Sequence, residues 1–282
     1  MSLDIIAITM VLSAAVLHAS WNALVKSAAD KWMLFGSMTL LGAIVCLFAL
    51  PFLPMPDGET WLWLVLSTII HFTYYALLLM SYKVGDLSKV YPIARGSAPI
   101  LVALGSFLFA GEILSTPAYI AIILSSLGIM ALAFEKGMPQ KGDRKPIVLA
   151  ILTGMMIGAY TITDGLGVRS TENKLTYIFW LFTLEGIPFL IWIAYRWKAY
   201  LPFLQSNWKY AVGGAFASHT AYGLVMAALA VGGMASVSAL RETSVIIAAI
   251  IGTVLLKEAF GKWRIAAAGM VGSGVIFLNF FG

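Results

Sequence analysis

Apolar residues fill this chain in long unbroken runs joined by short polar segments, not in the one-sided stripes of a water-soluble helix. A helix crossing a hydrocarbon core needs about 20 apolar residues. Ten stretches qualify: 4–26, 33–53, 61–82, 90–110, 115–134, 147–168, 175–195, 210–230, 235–256 and 263–281. The longest polar joint, EKGMPQKGDRKP at 135–146, is charged and carries Gly and Pro, as a linker does. It divides the chain into 1–134 and 147–282, with five predicted helices in each. The pattern predicts an all-α integral membrane protein with no soluble domain.

The halves repeat each other. SKVYPIARGSAPILVALGSFLFAGE at 88–112 parallels MASVSALRETSVIIAAIIGTVLLKE at 234–258, with Arg95 and Glu112 matching Arg241 and Glu258 at the same 17-residue spacing. Gly128 and Gly274 each follow the Glu by 16 residues. His71 and Tyr74 in the third run match His219 and Tyr222 in the eighth, and the i, i+3 spacing sets each pair on one helix face. An odd number of helices per half sends the second half into the membrane from the opposite side, so the repeats are inverted, a plan many secondary transporters use.

Composition agrees with a membrane class: 61% of residues are hydrophobic and 11% charged, against about 25% charged in soluble domains. Of the eighteen Lys and Arg residues, fourteen lie after odd-numbered runs and two, Arg169 and Lys174, on the other side. The positive-inside rule then puts the odd loops in the cytoplasm and both termini outside. The net charge of +5 is loop charge of this kind and implies no nucleic-acid partner. Cys46 is the only cysteine, so no internal disulfide forms. No metal-ligand spacing, phosphate-binding loop or nucleophile elbow is present, so no cofactor, ATP-driven pump or hydrolase is indicated.

The segments PILVALGSFLFAGEILSTPAYIAIILSSLGIMAL and VIIAAIIGTVLLKEAFGKWRIAAAGMVGSGVIFL resemble the drug/metabolite transporter superfamily, specifically its EamA-like carriers. The opening HASWNALVK at 18–26 resembles the family's first helix, including a branch associated with phosphonate utilisation. The resemblance implies a multi-pass protein of the inner membrane. It implies that helices 1, 3, 4, 6, 8 and 9 line a central cavity, with helices 5 and 10 peripheral or at a dimer contact. It also implies cytoplasmic termini, opposite to the charge count.

Polar residues inside the runs are costly and mark function by default. Arg95 and Arg241 each lie about 8–9 Å inside their own helix end, at 1.5 Å per residue. Inversion then separates their Cα atoms by about 13 Å along the normal of a core about 30 Å thick. Guanidiniums at that depth fork onto a carboxylate or phosphate, or else snorkel to their own interfaces. Glu242 beside Arg241 is either a proton-coupling carboxyl or a neutralising partner for a cation on another helix, and Asp164 admits the same two readings. His18, Asn22, His71, Tyr74, Tyr91, Tyr160, His219 and Tyr222 complete a candidate substrate-binding set, or else bond helix to helix. Glu185 reads as a structural carboxyl, and Glu112 and Glu258 as features of helix ends. Pro92 and Pro99 make the fourth helix the expected gate.

The expectation is a secondary active transporter, not an enzyme. It moves a small anionic or zwitterionic metabolite by alternating access, coupled to protons. Rival readings are a cation or drug exporter of the same fold, a membrane-embedded enzyme or lipid flippase that holds a phosphorylated headgroup with the arginine pair, and a non-transporting membrane subunit.

Overall fold

The computed structural model describes residues 3–84, 87–134, 141–254 and 261–281. Those residues build α1 (Ile5–Ser27), α2 (Lys31–Ala49), α3 (Gly58–Val84), α4 (Leu87–Ala110), α5 (Thr116–Ala131), α6 (Arg144–Ser170), α7 (Lys174–Tyr195), α8 (Trp197–Val231), α9 (Met234–Arg241), α10 (Thr243–Val254) and α11 (Lys262–Phe281). Helices α1 to α8 are each long and apolar enough to cross a membrane. The ninth span is the broken pair α9 and α10, and α11 is the tenth. The fold is an all-helical membrane bundle of two inverted five-helix repeats.

Short polar residues set the helix starts by accepting otherwise orphaned backbone N–H groups. Asp4 accepts from Ala7 (2.7 Å), Asp57 from Thr60 (2.7 Å), and Asp30 from Trp32 and Met33 (3.1 and 2.9 Å). Ser115 caps α5 through Ala118, and Asn173 caps α7 through Leu175. Asp30 and Asn173 hold equivalent places in the two halves. Large apolar side chains such as Phe48, Leu66, Leu108, Ile123, Leu190 and Phe216 are exposed on the spans, as a lipid-facing surface requires.

The packing is paired in the way inversion demands. Helix α3 lies along α6 as α8 lies along α1, and α4 lies against α6 as α10 lies against α1. Helices α2 and α7 meet each other, and so do α5 and α11. The α5–α11 contact uses the two repeated glycines: a Cβ on Gly128 would come within 2.6 Å of Met270 Cβ, and one on Gly274 would overlap Ser125 Oγ. Small residues at such a crossing let apolar helices approach closely.

Several element expectations change. Helix α8 starts at Trp197, well before the apolar run at 210, and Trp197–Lys209 is an aromatic and basic helical stretch that ends with Lys209 over the Trp208 ring. Helix α6 starts at Arg144, inside the expected linker, and residues 135–140 lie outside the described ones. Glu258 and Lys257 also lie outside them. Helix α4 runs unbroken through Pro92 and Pro99. The interruption is instead in the proline-free ninth span, where Glu242 tightens the chain: its N–H bonds Ala239 O (3.1 Å) and its carbonyl accepts from Val245 N (2.9 Å).

Candidate functional site

The repeated arginines do not snorkel. Arg95 and Arg241 are 5% and 4% exposed, and Glu242 is fully enclosed. Arg95 Nη2 stands 2.8 Å from Glu242 Oε1, an ion pair whose N–H is not aimed along the contact. The interruption between α9 and α10 carries Glu242 across to α4, so the neutralising-partner geometry is the one present. Pro99 has no N–H to give the Arg95 carbonyl four residues before it, which leaves α4 locally looser beside this pair.

Arg241 has no such partner for two of its nitrogens. Among the described residues, its Nε and Nη2 are buried without hydrogen bonds, and so are Arg95 Nε, both Glu242 oxygens, Ser238 Oγ and Ser244 Oγ. Ser238 stands three residues before Arg241 and four before Glu242, and Ser244 follows Arg241 by three, across the break between α9 and α10. Buried polar groups are nearly always satisfied, so a cluster of unsatisfied ones around this break marks a place built for a polar occupant. His18 on α1 is in electrostatic contact with both Arg95 and Arg241. Tyr91, Tyr74 and Tyr160 surround Arg95 in the same way.

A second polar centre lies around Asp164 on α6. Its carboxylate accepts from Ser67 Oγ (2.5 Å), Tyr177 OH (2.9 Å) and Tyr222 OH, three hydroxyls from α3, α7 and α8. Ser67 also lies 3.2 Å from His71 Nδ1, and His71 Nε2 stands 3.2 Å from Glu185 Oε1 on α7. His71 stacks on Tyr160 at 4.2 Å between ring centres, and Tyr160 meets Tyr74 and Tyr222 edge-on. The stacked rings join the two centres, since Tyr160 and Tyr222 interact with the arginines as well.

Of the sequence-chosen residues, the fold thus brings together His18, His71, Tyr74, Tyr91, Arg95, Tyr160, Asp164, Tyr222, Arg241 and Glu242. It leaves two apart from these contacts. Asn22 donates to the His18 carbonyl of its own helix (2.8 Å). His219 is half-buried between Phe182 and Gly42, with Nδ1 3.0 Å from the Ala215 carbonyl. Sequence reasoning missed Ser67, Tyr177 and the involvement of Glu185. Ser and Tyr in an apolar run carry no signal of their own. Glu185 carried one, the cost of an acid at mid-span, but its partner His71 is 114 residues away.

The face bearing the even-numbered connections is fastened between the halves. Gly111 takes a left-handed conformation (φ +65°) at the end of α4 and turns Glu112 inward. Both Glu112 oxygens accept from Met234 N, at the N-terminus of α9, and Oε1 pairs with Arg169 Nη1 at 2.9 Å. Arg169 in turn donates to the Leu229 and Gly232 carbonyls. Lys89, in the first turn of α4, and Asp143, just before α6, form an ion pair (2.7 Å) at the odd-numbered connections. These contacts join even connections to even and odd to odd, as alternating spans require.

Comparison with known proteins places this geometry in a family. No curated protein matches the chain closely enough to lend it a substrate. Among 28 solved chains that match, a crystal structure of a protein at 14% identity superposes with a TM-score of 0.73 and covers 98% of each chain, a likeness that carries the fold alone. The model of the EamA-like transporter family matches residues 5–134 and again 144–280. Two matches spanning both five-helix halves, over a bundle with a polar centre between them, establish that the chain belongs to the EamA-like transporter family.

Proposed function

We propose that this transporter is a secondary active carrier that moves a small organic anion, or a zwitterion through its acidic group, by alternating access of its two halves. One observation carries the reading: Arg241 is buried with two guanidinium nitrogens unpartnered among the described residues, beside an Arg95 already neutralised by Glu242. A guanidinium held away from water calls for an anion with oxygens to fill its fork. Arg241, Arg95, His18, Tyr91 and Tyr160 form the binding wall. Tyr74, His71 and Tyr222 add aromatic edges. Transport is coupled to protons through the buried acids of the centre, for which Asp164, Glu242 and Glu185 are the available groups. The charge count supports cytoplasmic odd connections and external termini.

A cation exporter is less well supported. Both carboxylates it would need are engaged, Glu242 by Arg95 and Asp164 by three hydroxyls.

The test is thermal stabilisation of the purified protein by carboxylates, phosphonates, amino acids and organic cations, followed by uptake into proteoliposomes. Anions stabilise the wild type, and Arg241→Ala and Arg95→Ala abolish uptake while the proteins still insert and run as single species. Full uptake in both variants, or stabilisation by cations alone, refutes the anion-carrier reading.

A further inference from the structure

We propose that the contact between His71 and Glu185 is the carrier's proton site, taking up one proton for each anion bound, while Asp164 is a fixed anchor and Glu242 a fixed counter-ion. The inference rests on the anion-carrier reading and names the residues of its coupling.

The hydrogen-bond chemistry of His71 determines where a proton can go. Its Nδ1 lies 3.0 Å from the Ser67 carbonyl, which only accepts. It also lies 3.2 Å from Ser67 Oγ, whose single hydrogen is given to Asp164. Both neighbours therefore require Nδ1 to carry a hydrogen. All proton exchange on the ring is left to Nε2, which stands 3.2 Å from Glu185 Oε1 in an ionic contact whose N–H is not aimed along it. With one proton between them the pair is neutral, as imidazolium and carboxylate or as imidazole and carboxylic acid. A second proton makes it imidazolium and carboxylic acid, with charge +1. That proton comes from water on one side of the membrane and is returned to water on the other.

The groups around Glu185 leave this pair as the adjustable one. Helix α3 brings His71 and Tyr75, α6 brings Asp164 and Tyr160, and α8 brings Tyr222, with His219 behind Phe182. Tyr177 is on α7 itself. Helix α2 contributes buried Cys46, its lone charge being Lys31 at its first residue. A proton on Asp164 would cancel the charge that three donated hydroxyls stabilise. A proton on Glu242 would strip Arg95 of its counter-charge.

Charge balance supplies the stoichiometry. Among the described residues, the charges buried at mid-span are Arg95, Arg241, Glu242, Asp164 and the His71–Glu185 pair. With one proton on the pair they sum to zero. A monoanion at Arg241 makes the centre −1, and the second proton restores neutrality, the state cheapest to carry through a low-dielectric interior.

The repeat shows that the site is single. Helices α2 and α7 start at Lys31 and Lys174, and Gly42 and Glu185 are separated by that same interval of 143 residues. The contact of His71 with Glu185 is therefore mirrored by His219 lying on Gly42, where a Cβ would overlap the ring. One half carries the acid, and the other carries a glycine whose missing side chain leaves room for an imidazole.

The test has one arm that needs no substrate. Infrared spectra of the lipid-reconstituted protein are recorded against pH, following the C=O stretch of protonated carboxyls. Glu185→Gln removes one titrating band and His71→Gln shifts it, while Asp164→Asn and Glu242→Gln both retain it. Loss of the band in Asp164→Asn or Glu242→Gln, with Glu185→Gln unchanged, overturns the proposal. The second arm measures protons taken up by unbuffered, detergent-solubilised protein on adding methylphosphonate monoanion. Uptake per bound anion falls from about one in the wild type to about zero in Glu185→Gln. Undiminished uptake in that variant overturns the proposal. Failure of methylphosphonate to bind the wild type counts against the anion reading, while the infrared arm still decides the proton site. His71→Gln carries the infrared test if Glu185→Gln does not fold.

Discussion

Removing Glu242 should expose the cost of the arginine centre directly. In Glu242→Ala, Arg95 loses a counter-charge 2.8 Å away, and the neighbouring Arg241 already has two unpartnered nitrogens. Both arginine residues are at most 5% exposed, so water cannot screen what is left. Breaking a buried pair by removing one partner costs about 3–5 kcal/mol, whereas replacing both partners by apolar groups is often neutral or stabilising. The double variant Arg95→Met with Glu242→Leu should therefore recover most of that loss. Arg95→Met alone should cost less than Glu242→Ala, because Arg241 remains beside the carboxylate it leaves. The assay is reversible unfolding from mixed micelles by rising mole fraction of a denaturing detergent, arranged as a double-mutant cycle. A coupling of about 2–3 kcal/mol is expected for groups in direct contact. A single-variant loss below about 1 kcal/mol, or a double variant no more stable than Glu242→Ala, would refute a dry, mutually dependent pair.

Other outcomes follow from the packing and the helix ends. Gly274→Leu should cost about 1–3 kcal/mol by the same unfolding assay, since even its Cβ would overlap Ser125 Oγ and come within 2.8 Å of the Ala121 carbonyl. Glu112→Gln should weaken the fastening of α9 by about 1 kcal/mol, because it removes the charge at that helix N-terminus and the partner of Arg169. Faster hydrogen exchange at Met234 would report it. The Asp57 carboxyl is held below its ordinary 3.8 by the Thr60 backbone N–H, then by the Thr60 side chain. A depressed acid adds stability that is present above its unfolded value and lost as pH falls through the folded one. Start-of-helix protection at α3 should thus decline below pH 3.8 in the wild type and be pH-independent there in Asp57→Asn.

Hydrophobic run length alone determined the ten spans, because lipid leaves the backbone no alternative to closed helices. Fixed Arg-to-Glu spacing in two places then required an internal duplication, and five helices per half required its inversion. The arginines were legible for the same reason: a guanidinium in an apolar run is conspicuous without knowing its neighbours. What the sequence did not determine was pairing. Glu242 opposite Arg95, Glu185 opposite His71, and Asp164 under Ser67, Tyr177 and Tyr222 all join residues from different helices. Helix order in a bundle depends on side-chain fit among faces that are all similarly apolar, so no local periodicity encodes it. The tertiary structure also moved the interruption from the proline-bearing fourth span to Glu242 in the ninth. Pro99 is accommodated within α4, and the chain yields where a buried acid tightens the turn toward its cation.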